Sequence, residues 1–264
     1  MENTKHFALI TWASSGIGYE LAKLFAKDRF NLVIVGREEA SLQKTALVLE
    51  EQGVQVITVI ADLFEPNAAF NLYEQIKARN IQIDVLVNDA GQGVYGKFIY
   101  TDLNKELDII QLNVASLVTL TKLFVREMVA RGSGKILNVA SIAGKVPGPY
   151  QAVYHGTKAF VHSFNEAVRA EIKDTPVTIT SLLPGPTDTD FFRKADMLDS
   201  KAVQEGELAD PADVAKDGYE AMVAGKDMVI SGFKNKLQVA MGNITPDSML
   251  AEQTGEQQEP VDKS

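Results

Sequence analysis

The chain has no cysteine among its 264 residues, which excludes disulfide bonds, thiol nucleophiles and thiolate metal sites. Histidine is also scarce, with His6, His155 and His162 as the three examples. Neither an HxxxH nor an HExxH pattern occurs, so we expect no metal centre. Tryptophan occurs once, as Trp12.

Long apolar runs and an excess of basic charge are absent as well. No uninterrupted apolar run approaches the roughly 18 residues of a membrane span, and the N-terminal segment has no signal-peptide cleavage site. The net charge of −9 at pH 7 argues against nucleic acid and anionic membrane surfaces as partners. We therefore expect a cytoplasmic protein that binds neither nucleic acid nor membrane.

Short apolar segments alternate with helical patterns about every thirty residues. The predicted strands are His6–Thr11, Asn31–Gly36, Gln55–Ala61, Val85–Val87, Gly134–Ser141, Val177–Leu183 and Asp227–Ser231. Helical patterns lie between them, and Asp210 and Pro211 are typical of the N-cap and first position of the last of these helices. The alternation predicts βαβ crossovers, and hence an α/β fold with a doubly wound, parallel seven-stranded sheet and helices on both faces.

The domain organisation follows from composition. No linker interrupts residues 1–232, and we predict one domain over residues 1–244, with no clear assignment for Phe233–Ile244. Residues 245–264 are acidic and poor in apolar groups, which predicts a disordered tail. A predicted helix from about Asn104 to Arg131 is apolar on two sides, so it can cover the sheet and also contact a second subunit. We expect a homo-dimer or homo-tetramer.

Tyr154 and Lys158 are the first candidates for chemistry. Side chains four apart on a helix lie one turn above each other on the same face. A nearby ammonium favours the phenolate and lowers the phenol pKa from its usual value of about 10. The pair is then suited to proton transfer in a carbonyl–alcohol interconversion. The alternative interpretation is a solvated helix face.

Polar and glycine-rich residues follow most of the predicted strands. They are Ser14–Gly18, Arg37, Asp62, Asn88–Gly91, Ser141 and Pro184–Thr189. In a parallel α/β sheet the ligand lies beyond the carboxyl ends of the strands. The sequence therefore predicts a ligand site at this edge of the sheet.

The segment Thr11–Gly18 (TWASSGIG) resembles the TGxxxGxG loop of the short-chain dehydrogenase/reductase family. The resemblance extends in order and spacing over residues 5–232, through Asp62, Asn88-x-Ala-Gly91, Asn113, Ser141, Tyr154-x-x-x-Lys158 and Pro184-Gly185. It implies a Rossmann-type fold. It also implies an NAD(P)-dependent oxidoreductase that interconverts a ketone or aldehyde and an alcohol.

The resemblance also implies roles for matched positions. Tyr154 would be the general acid/base, Lys158 would lower its pKa and bind the nicotinamide ribose, and Ser141 would bind the substrate oxygen. Asn113 would support a water-linked proton relay to Lys158. The implied cofactor contacts come from Ser14, Ser15, Gly16, Ile17, Gly18, Arg37, Asp62, Leu63, Asn88, Ala90, Gly91, Tyr154, Lys158, Pro184, Gly185, Thr187 and Thr189.

Some of these positions have simpler interpretations. The glycines of the first loop could make a plain strand–helix turn. Asp62 could be an N-cap, Asn88 a turn residue, and the Thr187 and Thr189 hydroxyls ordinary loop groups. Phe191, Phe192 and Met197 in the predicted irregular segment 187–209 indicate an apolar substrate, or else anchor that segment itself.

Arg37 bears on the choice of cofactor. At the end of the second strand an acidic residue would bind the ribose 2′-hydroxyl, whereas an arginine suits a 2′-phosphate. We therefore expect NADP(H) to be favoured over NAD(H). The alternative is a surface arginine paired with Glu38 or Glu39.

Two positions depart from the family pattern, and a third costs stability. Trp12 replaces a glycine, and a tryptophan tolerates positive φ poorly. Its indole either enters the adenosine site or folds outward. We expect Trp12 to weaken NADP(H) binding, and the alternative function is a catalytically impaired or regulatory binding protein.

Asp89 replaces an asparagine, with a minor effect expected. Gly156 lies inside a helix at a cost of about 1 kcal/mol, and could allow a neighbouring helix to approach.

Overall fold

The computed structural model describes residues 6–261. Seven strands form one parallel sheet in the order β3-β2-β1-β4-β5-β6-β7. They are β1 (Phe7–Thr11), β2 (Asn31–Gly36), β3 (Val56–Ile60), β4 (Val85–Asn88), β5 (Lys135–Val139), β6 (Thr178–Leu183) and β7 (Met228–Ile230). The predicted α/β fold is confirmed, and each predicted strand boundary agrees to within two residues.

Helices connect the strands and cover both faces of the sheet. They are α1 (Gly16–Lys27), α2 (Glu39–Glu50), α3 (Ala68–Ala78), α4 (Leu103–Ile110), α5 (Leu117–Arg131), α6 (Ala152–Glu171), α7 (Phe191–Lys194), α8 (Lys201–Gln204), α9 (Pro211–Val223), α10 (Phe233–Gly242) and α11 (Asp247–Gln258). Asp210 caps α9 through its side chain, which accepts a hydrogen bond from the Ala212 N–H, as predicted.

Two apolar clusters hold the layers together, one on each face of the sheet. The first joins β1 and β2 to residues such as Leu21 and Phe25 of α1. The second joins the opposite face to Leu72 of α3 and Phe124 of α5. Because both faces of the central strands are covered, these strands are continuous apolar runs without alternation.

The chain changes direction across the sheet at β1. Strands β2 and β3 lie on one side of β1, and β4 to β7 lie on the other. The loops that leave β1 and β4 therefore diverge at the carboxyl edge and open a crevice between them. This crevice is where the sequence predicts the site.

The long predicted helix is interrupted at its centre. A π-helical segment, Gln111–Ser116, separates α4 from α5. The span Leu103–Arg131 is long and apolar enough to cross a membrane by length and composition, which the count of apolar runs did not indicate. Half of its most apolar window is buried within the protein, because α5 covers the sheet as a core helix does.

The C-terminal region differs from the prediction of disorder. Helix α11 forms within the segment 245–264, where Leu250 and Gln258 are buried. Lys201 forms an ion pair with Glu259 at 3.1 Å, which ties the end of this helix to α8. A few contacts with the body of the protein thus order a segment of low apolar content. Residues 1–5 and 262–264, at the ends of the predicted domain and tail, lie outside the described residues.

Candidate active site

A cavity of about 260 Å³ lies at the carboxyl edge of the sheet, where the loops after β1, β4, β5 and β6 meet. Of the predicted site residues, it is lined by Ser15, Gly16, Ile17, Gly91, Ser141, Tyr154, Lys158, Pro184, Gly185, Thr187 and Thr189. Residues from five separate segments of the sequence thus come together.

Tyr154 and Ser141 face each other in this cavity. Tyr154 is on the first turn of α6, and Ser141 follows β5. The Ser141 hydroxyl accepts the Ala143 N–H at 3.0 Å, which fixes its position. Burial raises the pKa of Tyr154 to about 12, and a hydrogen bond with Ser141 lowers it in part. The phenol therefore holds its proton at neutral pH.

Lys158 is buried one turn above Tyr154. Its Nζ donates to the Val139 carbonyl at 2.8 Å and lies 5.8 Å from the centroid of the Tyr154 ring. Burial lowers the pKa of Lys158 to about 8, and the negative charge of Asp89 raises it in part. Burial of the phenol is the largest influence on the Tyr154 pKa in this arrangement, and the lowering of that pKa by Lys158 stays a prediction.

Asp89, for which a minor effect was expected, is buried beside the lysine of the site. Its carboxylate faces Lys158 and accepts a hydrogen bond from the Gly18 N–H in the first turn of α1. Burial raises the pKa of Asp89 to about 7, while Lys158 and Gly18 lower it in part. The Asp89 carboxyl group thus interacts both with the N-terminus of α1, through the Gly18 N–H, and with the charge of Lys158.

Asn113 lies in the π-helical segment, a deviation that is frequent at functional sites. Its amide nitrogen donates to the Gln92 carbonyl at 2.9 Å and to Thr157 Oγ1 at 3.0 Å. Its Oδ1 accepts the Gln92 N–H at 3.0 Å. The side chain therefore fixes the loop after β4 against α6.

The glycine loop between β1 and α1 approaches its neighbours closely. Gly16 has φ +57°, and a Cβ there would lie 3.0 Å from Thr189 Cγ2. At Gly18 a Cβ would lie 2.6 Å from Asp89 Oδ2 and 2.7 Å from the Trp12 carbonyl oxygen. The interpretation of these glycines as a plain turn does not account for such contacts.

Arg37 and Asp62 line a second, more open cavity on the β2–β3 side. An Arg37 nitrogen lies 4.0 Å from Asp62 Oδ2, and the guanidinium lies 5.0 Å from the centroid of the Phe64 ring. Asp62 Oδ1 accepts the Phe64 N–H at 3.1 Å, so it closes a local turn. The ion pair with Asp62 replaces the pairing of Arg37 with Glu38 or Glu39 considered above.

Trp12 has φ +55°, a left-handed conformation that non-glycine residues rarely adopt. Its indole lines the first cavity, and Lys194 Nζ lies 4.9 Å from the ring centroid. Lys194 lines both cavities. The Trp12–Lys194 pair therefore lies where the two cavities meet.

Other predicted residues line neither cavity. Leu63 and Ala90 belong to the core cluster on the α3–α5 face. Asn88 points into the protein, where its amide nitrogen donates to Asn138 at 2.8 Å and to Thr121 at 3.1 Å. The remaining predicted residues outside the two cavities are Ser14, Gly18 and Asn113.

Sequence reasoning missed the buried polar network beneath the site. Asn138 of β5 donates to Asn165 of α6 at 2.6 Å, and Asn165 donates to Ser181 of β6 at 2.8 Å. This network anchors the helix that carries Tyr154 and Lys158. Asn138 in β5 and Ser181 in β6 are polar residues inside otherwise apolar strands, and this pattern could have indicated the network from the sequence.

Sequence reasoning also missed one wall of the cavity. Gln151 and His155 line it from the start of α6, and Thr254, Gln257 and Gln258 line it from α11. In the segment 187–209, Phe192 and Met197 are buried in a local cluster, while the ring of Phe191 lies 5.1 Å from that of Tyr154. Anchoring and cavity lining thus both occur in this segment.

Comparison with known proteins places the chain among related oxidoreductases. Residues 6–198 match the family model of short chain dehydrogenases. The chain is 30% identical over 253 residues to dehydrogenase/reductase SDR family member 7B of Danio rerio, covering 90% of this chain and 81% of that protein. It is 30% identical over 250 residues to the ketoacyl reductase HetN of Nostoc, covering 91% and 85%.

A solved structure shares the architecture. The short-chain dehydrogenase from Sphingobium yanoikuyae in complex with NADPH matches with a TM-score of 0.81 at 25% identity, covering 91% of this chain and 96% of that one. The chain belongs to the short-chain dehydrogenase/reductase family of oxidoreductases and has that family's NAD(P)-binding Rossmann fold.

Proposed function

We propose that the protein is an NADP(H)-dependent oxidoreductase that interconverts a ketone or aldehyde and the matching alcohol, with Tyr154 as general acid/base. One observation carries the proposal. Ser141, Tyr154 and Lys158 meet in a single cavity that also receives the glycine loop of α1. Proton-transfer groups and an anion-binding helix N-terminus thus share one space.

The residues at the site fit a dinucleotide. The N-terminus of α1 favours a pyrophosphate, and Gly16 lets the backbone approach it. At Gly91 a Cβ would lie 3.1 Å from Lys158 Nζ, so the glycine keeps the space beside the lysine open. Tyr154 and Lys158 would hold the nicotinamide ribose, and Thr187 and Thr189 the carboxamide. When bound, the cofactor exchanges a hydride with the carbonyl carbon of the substrate.

The protein's own groups would carry the proton. A buried Tyr154 with a pKa of about 12 is protonated at neutral pH, so it donates to a carbonyl oxygen during reduction. Ser141 binds the same oxygen and orients it. Lys158 and Asn113 would form a relay that returns a proton to Tyr154; a Cβ at Gly91 would lie 3.1 Å from Lys158 Nζ and 3.6 Å from Asn113 Oδ1, so the two side chains are close together.

Oxidation of NADPH with a panel of ketones and aldehydes tests this reaction. Tyr154→Phe removes the proton donor and is expected to lower kcat by about 10²- to 10⁴-fold. Calorimetric titration should show that the variant still binds NADPH. Turnover that survives Tyr154→Phe would exclude Tyr154 as the general acid/base.

Arg37 supports NADP(H) as the preferred cofactor. Its guanidinium, held by Asp62 and Phe64, is half-exposed at the end of β2, where a ribose 2′-phosphate would lie. Arg37→Ala is expected to weaken NADPH binding by about tenfold and to change NADH binding little. Arg126→Ala, at an exposed position of α5, is the matched control. Equal losses for NADPH and NADH would contradict the preference.

A second candidate function is a binding or regulatory protein with impaired turnover. Trp12 favours it, because its indole and Lys194 lie where a dinucleotide has to cross from the Arg37 cavity to the Tyr154 cavity. Absence of turnover in this chain, with recovery in Trp12→Gly, would support this candidate over the first.

The substrate class, the assembly of identical chains and the location of the protein are also part of the proposal. Phe191 beside Tyr154 favours a small substrate with an apolar body. Exposed apolar side chains on α4 and α6 favour association of identical chains. We also retain a cytoplasmic location as part of the proposal.

A further inference from the structure

Two buried glutamine side chains share the cavity with Tyr154. Gln151, which precedes α6, is 4% exposed, and Gln258, at the end of α11, is 8% exposed. Across the part of the chain that the structure describes, Gln151 Nε2 and Gln258 Oε1 have no hydrogen-bond partner. A buried amide group without a partner is costly, so each of these atoms is suited to a ligand.

His155 fixes the orientation of the Gln258 amide. His155 Nδ1 lies 2.9 Å from the Val146 carbonyl, which can only accept, so Nδ1 carries the proton. Burial lowers the His155 pKa more than backbone hydrogen bonds with Val146 and Ala143 raise it, so the ring is neutral. With the proton on Nδ1, Nε2 is an acceptor. The Gln258 amide nitrogen, 3.1 Å from Nε2, therefore donates to it. The carbonyl oxygen of Gln258 is the atom left for a ligand.

The main chain of Gln258 is fixed as well. The Tyr95 hydroxyl donates to the Gln258 carbonyl, and the Tyr95 ring stacks on Tyr150 with centroids 5.7 Å apart. On the opposite side, a Cβ at Gly93 would lie 2.8 Å from Gln151 Nε2. Gly93 thus makes room for the Gln151 side chain. Both amides are held in place by their surroundings.

We propose that Gln151 and Gln258 form a polar subsite for a second, neutral oxygen of the substrate, so that the enzyme prefers carbonyl compounds whose apolar body also carries a hydroxyl group. A hydroxyl both accepts and donates, which matches a free N–H on Gln151 and a free carbonyl on Gln258. A neutral His155 offers no positive charge to a carboxylate. Phe191 and Met197 line the same cavity and suit the apolar body. The inference deepens the proposed reductase function and rests on it.

The test compares ketones that differ by one hydroxyl. A series of acetophenones and cycloalkanones, each with a single hydroxyl at successive positions, is reduced with NADPH beside its deoxy parents. The full chain is expected to prefer at least one hydroxylated member by about tenfold or more in kcat/KM, because the parent leaves both amides unpaired. Gln258→Leu should bring this ratio close to one.

Two further variants separate the subsite from a general disturbance of α11. Gln151→Leu changes the other wall and should reduce the same ratio. Gln253→Leu, an exposed glutamine on α11 away from the cavity, should keep it. No hydroxylated ketone preferred by more than about twofold, or a ratio that persists in both Gln151→Leu and Gln258→Leu, overturns the subsite.

Failure of the proposed reaction would be recognised separately. If no ketone is turned over, Trp12 fluorescence in the full chain is titrated with each hydroxylated ketone and its parent, since the only tryptophan lines the cavity. Tighter binding of a hydroxylated member that disappears in Gln258→Leu supports the subsite without the reaction. Equal dissociation constants within every pair overturn the subsite as well.

Discussion

Trp12 occupies a backbone conformation that costs a non-glycine residue roughly 1–2 kcal/mol. The sequence indicated the conflict, since a tryptophan stands where the family has glycine. It did not indicate the partner of the indole. Lys194, 182 positions away in the chain, lies over the ring because the segment after β6 folds back across the glycine loop.

Trp12→Gly is expected to tighten NADPH binding by about tenfold or more. The change removes the indole from the junction of the two cavities and relieves the positive φ. Calorimetric titration of both proteins measures the effect. Trp12→Ala removes the indole and keeps a Cβ, so it separates the steric effect from the backbone effect. Equal affinities for the original chain and the glycine variant would contradict the role given to Trp12.

Asp89 is expected to make stability depend on pH. Burial raises its pKa to about 7, whereas an unfolded aspartate releases its proton near pH 4. Between these values the folded protein holds more protons than the unfolded chain, so the free energy of unfolding falls as pH rises. Asp89→Asn removes this titration. The variant should therefore gain stability relative to the original chain between pH 5 and pH 7.5.

Urea denaturation at both pH values measures this difference. Asn keeps an oxygen that can accept the Gly18 N–H, so the hydrogen bond to α1 is conserved. Glu51→Gln, at an exposed position after α2, controls for the loss of one negative charge. A difference between variant and original chain that is the same at pH 5 and pH 7.5 would show that Asp89 does not titrate in this range.

At the scale of elements, two helix glycines differ in what surrounds them. Gly18 in α1 is enclosed by Asp89 and the Trp12 carbonyl, whereas a Cβ at Gly156 in α6 meets no described atom within 4 Å. The sequence allowed a close approach of a neighbouring helix at Gly156, and within this chain none occurs. The two positions look alike in sequence, and only tertiary contacts distinguish them.

Alanine at these glycines should have opposite effects on stability. Gly156→Ala is expected to raise the free energy of unfolding by about 0.5–1 kcal/mol, since alanine restricts the unfolded chain and favours helix. Gly18→Ala is expected to lower it by about 1–3 kcal/mol, because the backbone has to shift. Thermal and urea denaturation measure both. A destabilising Gly156→Ala would indicate that another surface covers this position of α6.

At the scale of the whole molecule, adjacent helices α4 and α6 expose apolar side chains. Leu103 and Leu107 of α4 are 65% and 53% exposed, and Phe160 of α6 is 44% exposed. The sequence predicted that the long helix is apolar on two sides. One side covers the sheet, and the other faces outward in a single chain.

Leu107→Lys is expected to shift an assembly of identical chains toward the monomer. A charge in a buried apolar interface is not compensated, so affinity should fall by tenfold or more. Light scattering after size-exclusion chromatography over a range of concentrations measures the mass. Leu47→Lys, at an exposed leucine of α2, is the control. A monomeric original chain would remove the basis of this prediction.

The sequence by itself determined the strands of the sheet, their order along the chain and the residues proposed for catalysis. These follow from local signals: apolar runs for strands covered on both faces, and motifs with fixed spacing. Tertiary structure decided which side chains share a space. No local pattern predicts contacts between segments that are distant in sequence. Three examples are the contact of Trp12 with Lys194, the hydrogen bond of Asn138 with Asn165, and the wall that Gln258 forms in the cavity of Tyr154. Tertiary structure also set the protonation of Tyr154, since desolvation depends on everything folded around the phenol.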